Sequence, residues 1–547
     1  MKFSKLTLAI ATTLGASASF NAFAIDLYVD TKTKQIYAEP GRGRMLMGSF
    51  EQVGEAPAKT SAPAVPAEID AMKQDLELKT NEIKALQEHV AEATKPDTVV
   101  VKLDDGIHFA TRDGNFTAGI NGRLQVDSQS NVNQDLQNNF VNRNDPFSVP
   151  ATLNNGATLR RARLGVEGTF FKETDYKFEY DFTRGNGLNA GGITDAFVRY
   201  NFSKPFSIKA GAFKEPFSLE EATSNRFLTF IERNMAVNTF VDNLNTYKVG
   251  IGANYWTDRW QVGSSFQTEG IGGYTNAYGN NGITNSTGSA VNVNGGVNRN
   301  GGGGDTGYEF NTRLSGTPWF ASKTKFLHTG FSGSYININN NYTQNGTYNN
   351  GGVIFANGVG ANVDRSAILN TNNLTFTPSA PGKGPSAQAS SLSRFGVESA
   401  VVYGPFSAQA EYIVMNVYGK GYSGSSMDGA YGYMTYFLTG ESRNFRAKTA
   451  SWDRIKPNRN FDLKGGWGAW EVAAGYDYMN LNSTGINGGK ASTVKFGLNW
   501  YPHSHLRVMA DYVHVLDINT TKAATAFGRA WNGASLDMIE TRVQVDW

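Results

Sequence analysis

The chain contains no cysteine in 547 residues. That excludes disulfide staples, redox motifs and thiolate metal sites. Charged residues make up only 18%, and 50 bases nearly cancel 48 acids, leaving a formal charge of +2. Long apolar runs are missing as well: after Ala24 nothing approaches the roughly 20 residues that a membrane helix needs. The apolar run at 6–16 follows Lys2 and Lys5 and leads to the small-x-small pattern Ala22, Phe23, Ala24. Residues 1–24 therefore read as a secretory signal peptide, to be set aside from fold reasoning. Removing it takes away two lysines and no acid, so the exported chain is about neutral. Neutrality argues against nucleic acid as a partner.

What is present is glycine, 61 residues of it, with 12% aromatics. This mixture suits many strands joined by glycine-rich turns better than a helical enzyme. Residues 25–60 form a short N-terminal segment, predicted as one small hairpin with Lys32, Thr33 and Lys34 near its turn. Residues 61–96 hold an Ala/Pro linker and then helix formers from 67 to 93. Apolar Ile69, Met72, Leu76, Ile83, Leu86 and Val90 fall on a heptad seam, broken at one position by Lys79. So narrow a seam predicts a short coiled coil between identical copies. The alternative is a single amphipathic helix lying on the rest of the protein.

From residue 115 the period becomes two, and sixteen candidate strands follow within a domain at 106–547. The last of them, 536–547, alternates polar and apolar residues over 541–547 and ends on Trp547. In a soluble sheet such a strand would leave an open edge and an open apolar face. In a closed transmembrane barrel the edge pairs with the first strand and the apolar face meets lipid. Connections alternate between long and short, as outer loops and tight periplasmic turns do. Segment 440–466 is long where a short turn is due. The loops 268–307 and 338–392 are rich in Gly, Asn, Ser and Thr, a composition predicting solvated surface. The expected fold is an all-β, 16-stranded antiparallel transmembrane barrel with a short N-terminal periplasmic coiled-coil helix.

The two faces differ in chemistry. Phe116, Ala118, Ile120, Leu124 and Val126 share a side of the first strand, opposite Thr117, Asn121, Arg123 and Gln125. Phe178 and Phe496 likewise stand opposite Lys177 and Lys495. A barrel of sixteen strands is too wide for its side chains to fill, so a water-filled channel is expected. Its predicted lumen bases are Arg123, Arg161, Arg163, Lys177, Arg199, Lys209 and Lys248. The connection 214–245 adds Lys214, Arg226 and Arg233, in a stretch mixed enough to pack inside the lumen and narrow it. Such groups attract anions and replace part of their hydration. Acids are also plentiful on the same faces, so many of these bases are open to pairing across the wall.

Several strings then resemble the phosphate-selective porin O/P family. They include Arg160, Arg161, Ala162 and Arg163 with the Gly165–Gly168 stretch after them, the run Phe213-Lys214-Glu215-Pro216-Phe217-Ser218-Leu219-Glu220-Glu221, and Tyr436-Phe437-Leu438-Thr439-Gly440-Glu441. The resemblance runs in order from about 106 to the end. It implies an outer-membrane porin of a Gram-negative cell, commonly a homotrimer, admitting phosphate or other small anions. It also implies that 214–233 belongs to a constriction loop. A full basic ladder cannot be aligned, so general diffusion of small polar solutes is the competing reading. An adhesin or a barrel enzyme is a third class. His503 and His505 have no accompanying nucleophile motif, and neither a phosphate-binding loop nor a zinc-protease motif is present. No cofactor is implied.

Overall fold

The computed structural model describes residues 25–30, 36–37, 44–50, 66–93, 99–103, 106–136, 152–183, 192–203, 205–242, 247–270, 307–338, 353–372, 374, 386–523 and 525–547. The expected signal peptide at 1–24 and most of the loop at 268–307 lie outside them. Contacts divide the chain into 1–95 and 96–547.

In the first unit, Ile25–Asp30 pairs antiparallel with both Ile36–Tyr37 and Arg44–Phe50. The expected hairpin is thus a three-stranded sheet. Helix α1, Pro66–Ala93, is separate from it in sequence. Leu76, Ile83, Leu86 and Val90 along its seam are all exposed.

The second unit is a closed antiparallel barrel. Its strands are β1 (Phe116–Asp135), β2 (Gly156–Phe170), β3 (Thr174–Asp181), β4 (Gly192–Ser203), β5 (Phe206–Lys214), β6 (Tyr247–Trp256), β7 (Trp260–Gly270), β8 (Tyr308–Ser322), β9 (Lys325–Asn337), β10 (Gln388–Tyr403), β11 (Phe406–Lys420), β12 (Ser425–Phe437), β13 (Ala469–Ser483), β14 (Ile486–His503), β15 (Leu506–Asn519) and β16 (Ser535–Asp546). β16 closes on β1 from Ser535↔Asp135 to Asp546↔Arg123. Trp547 completes the seam, exchanging two backbone hydrogen bonds of 3.0 and 3.1 Å with Gly122. Below that point β1 outruns its partner. A hairpin absent from the sequence reading, Val99–Lys102 with Ile107–Thr111, pairs with residues 117–120 and occupies the edge.

Alternation puts hydrocarbon outside. On β10, Phe395 is 58% exposed while Arg394 beside it is 0% exposed. Phe331 and Phe496 face outward in the same way, next to inward Ser332 and Lys495. The rim with the short turns carries aromatics on its outer face, among them Phe170, Phe202, Trp260, Tyr403, Tyr436, Trp470, Trp500 and Trp547. That belt is the interfacial girdle of a membrane barrel.

The interior departs from expectation in three places. The inner face of β11–β16 toward the long-loop rim is apolar, with Ile413, Met415, Met479, Val513, Val515 and Met538 buried. The Gly/Asn-rich connection before β10 was expected to be solvated. Instead Val353, Phe355, Val359, Ile368 and Leu369 are buried in the same cluster. The reason is mutual burial, since these side chains cover the apolar inner wall and neither surface then meets water. Finally, two connections at the long-loop rim are tight turns where the alternation called for long loops. β11 and β12 are joined through 421–424, and β13 and β14 through Thr484 and Gly485.

Candidate functional site: the permeation path

Two segments enter the barrel from opposite rims. The connection between β5 and β6, described from 215 to 242, contains two short helices, α2 (Leu219–Ala222) and α3 (Met235–Phe240). Its apolar edge packs on the far wall. Phe230 meets Tyr433 edge-on at 5.6 Å, and Phe240 meets Phe355 at 5.6 Å. Gly475 and Gly497 leave the room for Phe230, because a Cβ at either would come within 3.1 or 3.2 Å of its ring.

Wall side chains satisfy the loop's backbone. Glu411 accepts from the Leu219 and Glu220 amides at 3.1 and 2.8 Å. Asp477 accepts from Met235 and Asp511 from Ile231, both at 2.7 Å. Arg542 donates to the Ile231 carbonyl at 2.7 Å and Arg394 to that of Phe240 at 2.8 Å. A buried loop without such partners would cost a few kcal/mol for each orphaned group.

The second segment is the one that broke the turn rule. Residues 441–455 fold back into the barrel from the short-turn rim. Arg313 donates to the Ala450 carbonyl at 2.8 Å. Trp452 is buried with Leu219, Phe326, Ala400 and Val402. Its amide donates to the Thr223 hydroxyl at 3.2 Å. The two segments therefore meet in mid-lumen, at Thr223 and Trp452.

This filling is eccentric. Hydrocarbon occupies the β11–β16 side toward the long loops, while the inner faces of β1–β5 are mostly polar, with Phe197 and Phe213 beside Lys209 as exceptions. A polar solute therefore meets mostly polar side chains along β1–β5. All ten bases singled out in the sequence are on inward positions of the wall or in the loop. Most are neutralised. Arg123 contacts Glu179 at 2.6 Å and donates to Asn225. Arg163 contacts Glu179 at 2.9 Å and Asp181 at 2.7 Å. Lys177 lies 3.1 Å from Asp195, and Arg199 pairs with Asp175 at 2.5 Å. Lys214 pairs with Glu221, as does Arg233 at 3.0 Å. Lys248 is buried between Glu215 and Glu309. Arg233 thus ties the loop to itself and Lys248 ties the loop to the wall, and both are closed off from solvent.

Arg161, Lys209 and Arg226 differ, having no ion pair among the described residues. Arg161 donates to Gln125 at 2.9 Å, and Lys209 sits 3.9 Å from the Phe213 ring centroid. Burial, followed by the Arg123 guanidinium, pushes the Arg226 pKa down to about 10. Positive charge there lacks compensation, which is the state an incoming anion relieves.

Besides Arg313, Arg394 and Arg542, which anchor the in-folded segments, two bases beside Arg161 escaped the sequence reading. The register of β1 on β2 shifts between Gln125↔Arg161 and Val126↔Leu159, leaving Arg160 as the extra residue of a bulge. Arg160 consequently turns inward beside Arg161 and binds Glu232 at 2.7 Å. Arg365, from the connection before β10, is exposed and has no ion pair among the described residues. Its pKa is pushed down first by the Arg160 guanidinium. Arg160 was hidden because strict alternation assigns it to the lipid face. Arg365 was hidden because its loop read as solvated surface.

A closed barrel with hydrocarbon outside, charge inside and loops folded across its lumen is a channel of the outer-membrane class. The family model for phosphate-selective porin O and P matches residues 131–547, and the chain belongs to that family. Porin O of Pseudomonas aeruginosa is 28% identical over 428 residues, spanning 76% of this chain and 86% of that protein. An uncharacterized protein of Caulobacter vibrioides is 26% identical over 466 residues, spanning 85% of this chain and 80% of its own length. Among solved structures, the outer membrane channel DcaP of Acinetobacter baumannii aligns at 11% identity and a TM-score of 0.44, covering 80% of this chain and 99% of that one.

Proposed function

We propose that this porin passes small anions by diffusion, phosphate or polyphosphate foremost, along the β1–β5 side of the lumen. Arg160, Arg161, Lys209, Arg226 and Arg365 would be the groups that meet them, as weak successive sites that permit exit. What carries this reading is the placement of Arg161, Lys209, Arg226 and Arg365, which have no ion pair among the described residues, on the side of the lumen least filled by hydrocarbon. The remaining predicted bases would set the background potential rather than bind. The short-turn rim and the N-terminal region would face the periplasm, with three copies joined through barrel walls and through α1 as a parallel coiled coil. Copies in one membrane share an orientation, so only a parallel association is open to their helices.

General diffusion of small polar solutes is the second reading, favoured by the pairing of Arg123, Arg163, Lys177 and Arg199 with acids. The test is block of chloride current by added phosphate in a planar bilayer. Concentration-dependent block at millimolar phosphate supports the first reading. Chloride current indifferent to phosphate supports the second.

A further inference from the structure

Beyond the lumen, the connection between β12 and β13 has a second part that lies on the outside of the wall. Residues 456–467 follow the in-folded segment and run along the end of β14, where the Phe461 amide donates to the Pro502 carbonyl at 2.9 Å. The turn is tightly built. Asp462 accepts from the Lys464 and Gly466 amides, both at 2.8 Å, and from Arg459 at 2.7 Å. A Cβ on Gly466 would come within 2.0 Å of the Asn460 carbonyl oxygen, so the closure needs glycine. These contacts hold the Asp462 carboxyl down at about 2, chiefly through Arg459, so the turn keeps its charge pattern throughout the physiological range.

The turn presents hydrocarbon. Leu463 is 87% exposed and Trp467 70% exposed. Leu463 is held at φ 55°, a left-handed conformation that costs a leucine energy and that the surrounding bonds impose. Trp467 is fixed from behind, its carbonyl accepting from the indoles of Trp470 at 3.1 Å and Trp500 at 2.9 Å. Those two indoles stack at 5.5 Å and belong to the lipid-facing aromatic belt. Phe461 meets Trp500 edge-on at 5.3 Å. The exposed apolar groups are therefore continuous with the belt rather than set in the water beyond it. Around them stand Lys456, Arg459 and Lys464 against one acid, Asp462.

We propose that residues 456–467 form a lip that inserts Leu463 and Trp467 into the phospholipid leaflet at the short-turn rim and gathers anionic headgroups with Lys456, Arg459 and Lys464. Each half of the pattern has its own physical reason. Leucine and tryptophan gain by leaving water at the interface, and basic side chains gain about fivefold each in affinity for an anionic surface. A rigid turn spends little ordering entropy on either. The lip rests on the membrane-barrel reading, and the experiment separates the two.

Because the chain is free of cysteine, Leu463→Cys places a single spin label on the full-length protein. Power saturation in phosphatidylethanolamine–phosphatidylglycerol vesicles then compares relaxation by oxygen, which partitions into lipid, with relaxation by a water-soluble nickel chelate. The expected result is oxygen dominance, as for the wall control Phe496→Cys, and opposite to the turn control Lys323→Cys. Nickel dominance at 463 with oxygen dominance at 496 overturns the lip and leaves the barrel intact. Shielding from both reagents, with dipolar broadening between labels, overturns it in favour of a contact between copies. Nickel dominance at 496 would sink the barrel reading itself. For the charged half, Lys456→Gln with Lys464→Gln should weaken retention of phosphatidylglycerol by about fivefold per lysine, with channel conductance unchanged. Unchanged retention overturns that half.

Discussion

Arg160 and Arg161 share one side of β2, which an uninterrupted strand forbids. The bulge opposite Gln125 and Val126 permits it, and the consequence is two adjacent guanidiniums in the lumen of which only Arg160 binds a carboxylate. Arg161→Ala should therefore weaken phosphate block of the current about tenfold, the effect of losing a charged hydrogen bond worth roughly 1.5 kcal/mol. Titrating block in the variant and the parent checks this, and equal block would place Arg161 off the path. Arg233→Ala should behave differently. Its partner Glu221 is fully buried and would keep only Lys214, and removing one partner of a buried ion pair costs up to about 3–5 kcal/mol. Lower thermal stability with unchanged ion preference is the expected pair of readouts. Glu220 supplies a pH dependence. Burial and then the Glu411 carboxylate push it up to about 8. A raised pKa means that its share of loop anchoring is full below the ordinary carboxylate range and is lost as pH climbs through 8. Glu220→Gln should accordingly gain thermal stability over the parent at pH 9 and little at pH 5. Equal shifts at both pH values would contradict the assignment.

At the scale of elements, legibility in the sequence followed the balance of local and distant forces. The constriction loop could be read because Phe217, Leu219, Phe230, Ile231 and Phe240 are too many apolar residues for a solvated connection. The connection before β10 could not, because Val353, Phe355, Ile368 and Leu369 are diluted among Gly, Asn and Ser, and their burial depends on an inner wall distant in sequence. That α1 is a helix was legible from spacing alone. The hairpin 99–111 was not, since its role is to cover the few residues by which β1 outruns β16, a consequence of register rather than of composition. The segment 440–466 was visible as an exception to the turn rule, but its direction of folding was not. That direction carries a prediction. Trp452 fills the junction between the two in-folded segments, so Trp452→Ala should loosen it and raise single-channel conductance, read as step size in a planar bilayer. An unchanged step would mean that the junction does not limit flow.

At the scale of the whole molecule, a near-neutral chain makes a charged path by segregation. Outside, Phe331, Phe395 and Phe496 meet hydrocarbon. Inside, acids and bases cancel over most of the wall, apolar loops fill the β11–β16 side, and the uncompensated cations are left along β1–β5. Closure of the ring makes this separation possible, because each strand pairs with a neighbour on both sides and the wall has no open edge facing lipid. The first-to-last pairing was readable from the aromatic terminus, whereas the eccentric filling depended on which loops turn inward. If that filling sets selectivity, the sign of permeant charge follows from the fold. The most direct measurement is the reversal potential of the purified, reconstituted protein across a potassium chloride gradient. A potential on the chloride side is predicted, shrinking in Arg161→Ala. A potential on the potassium side would contradict the assignment of the path.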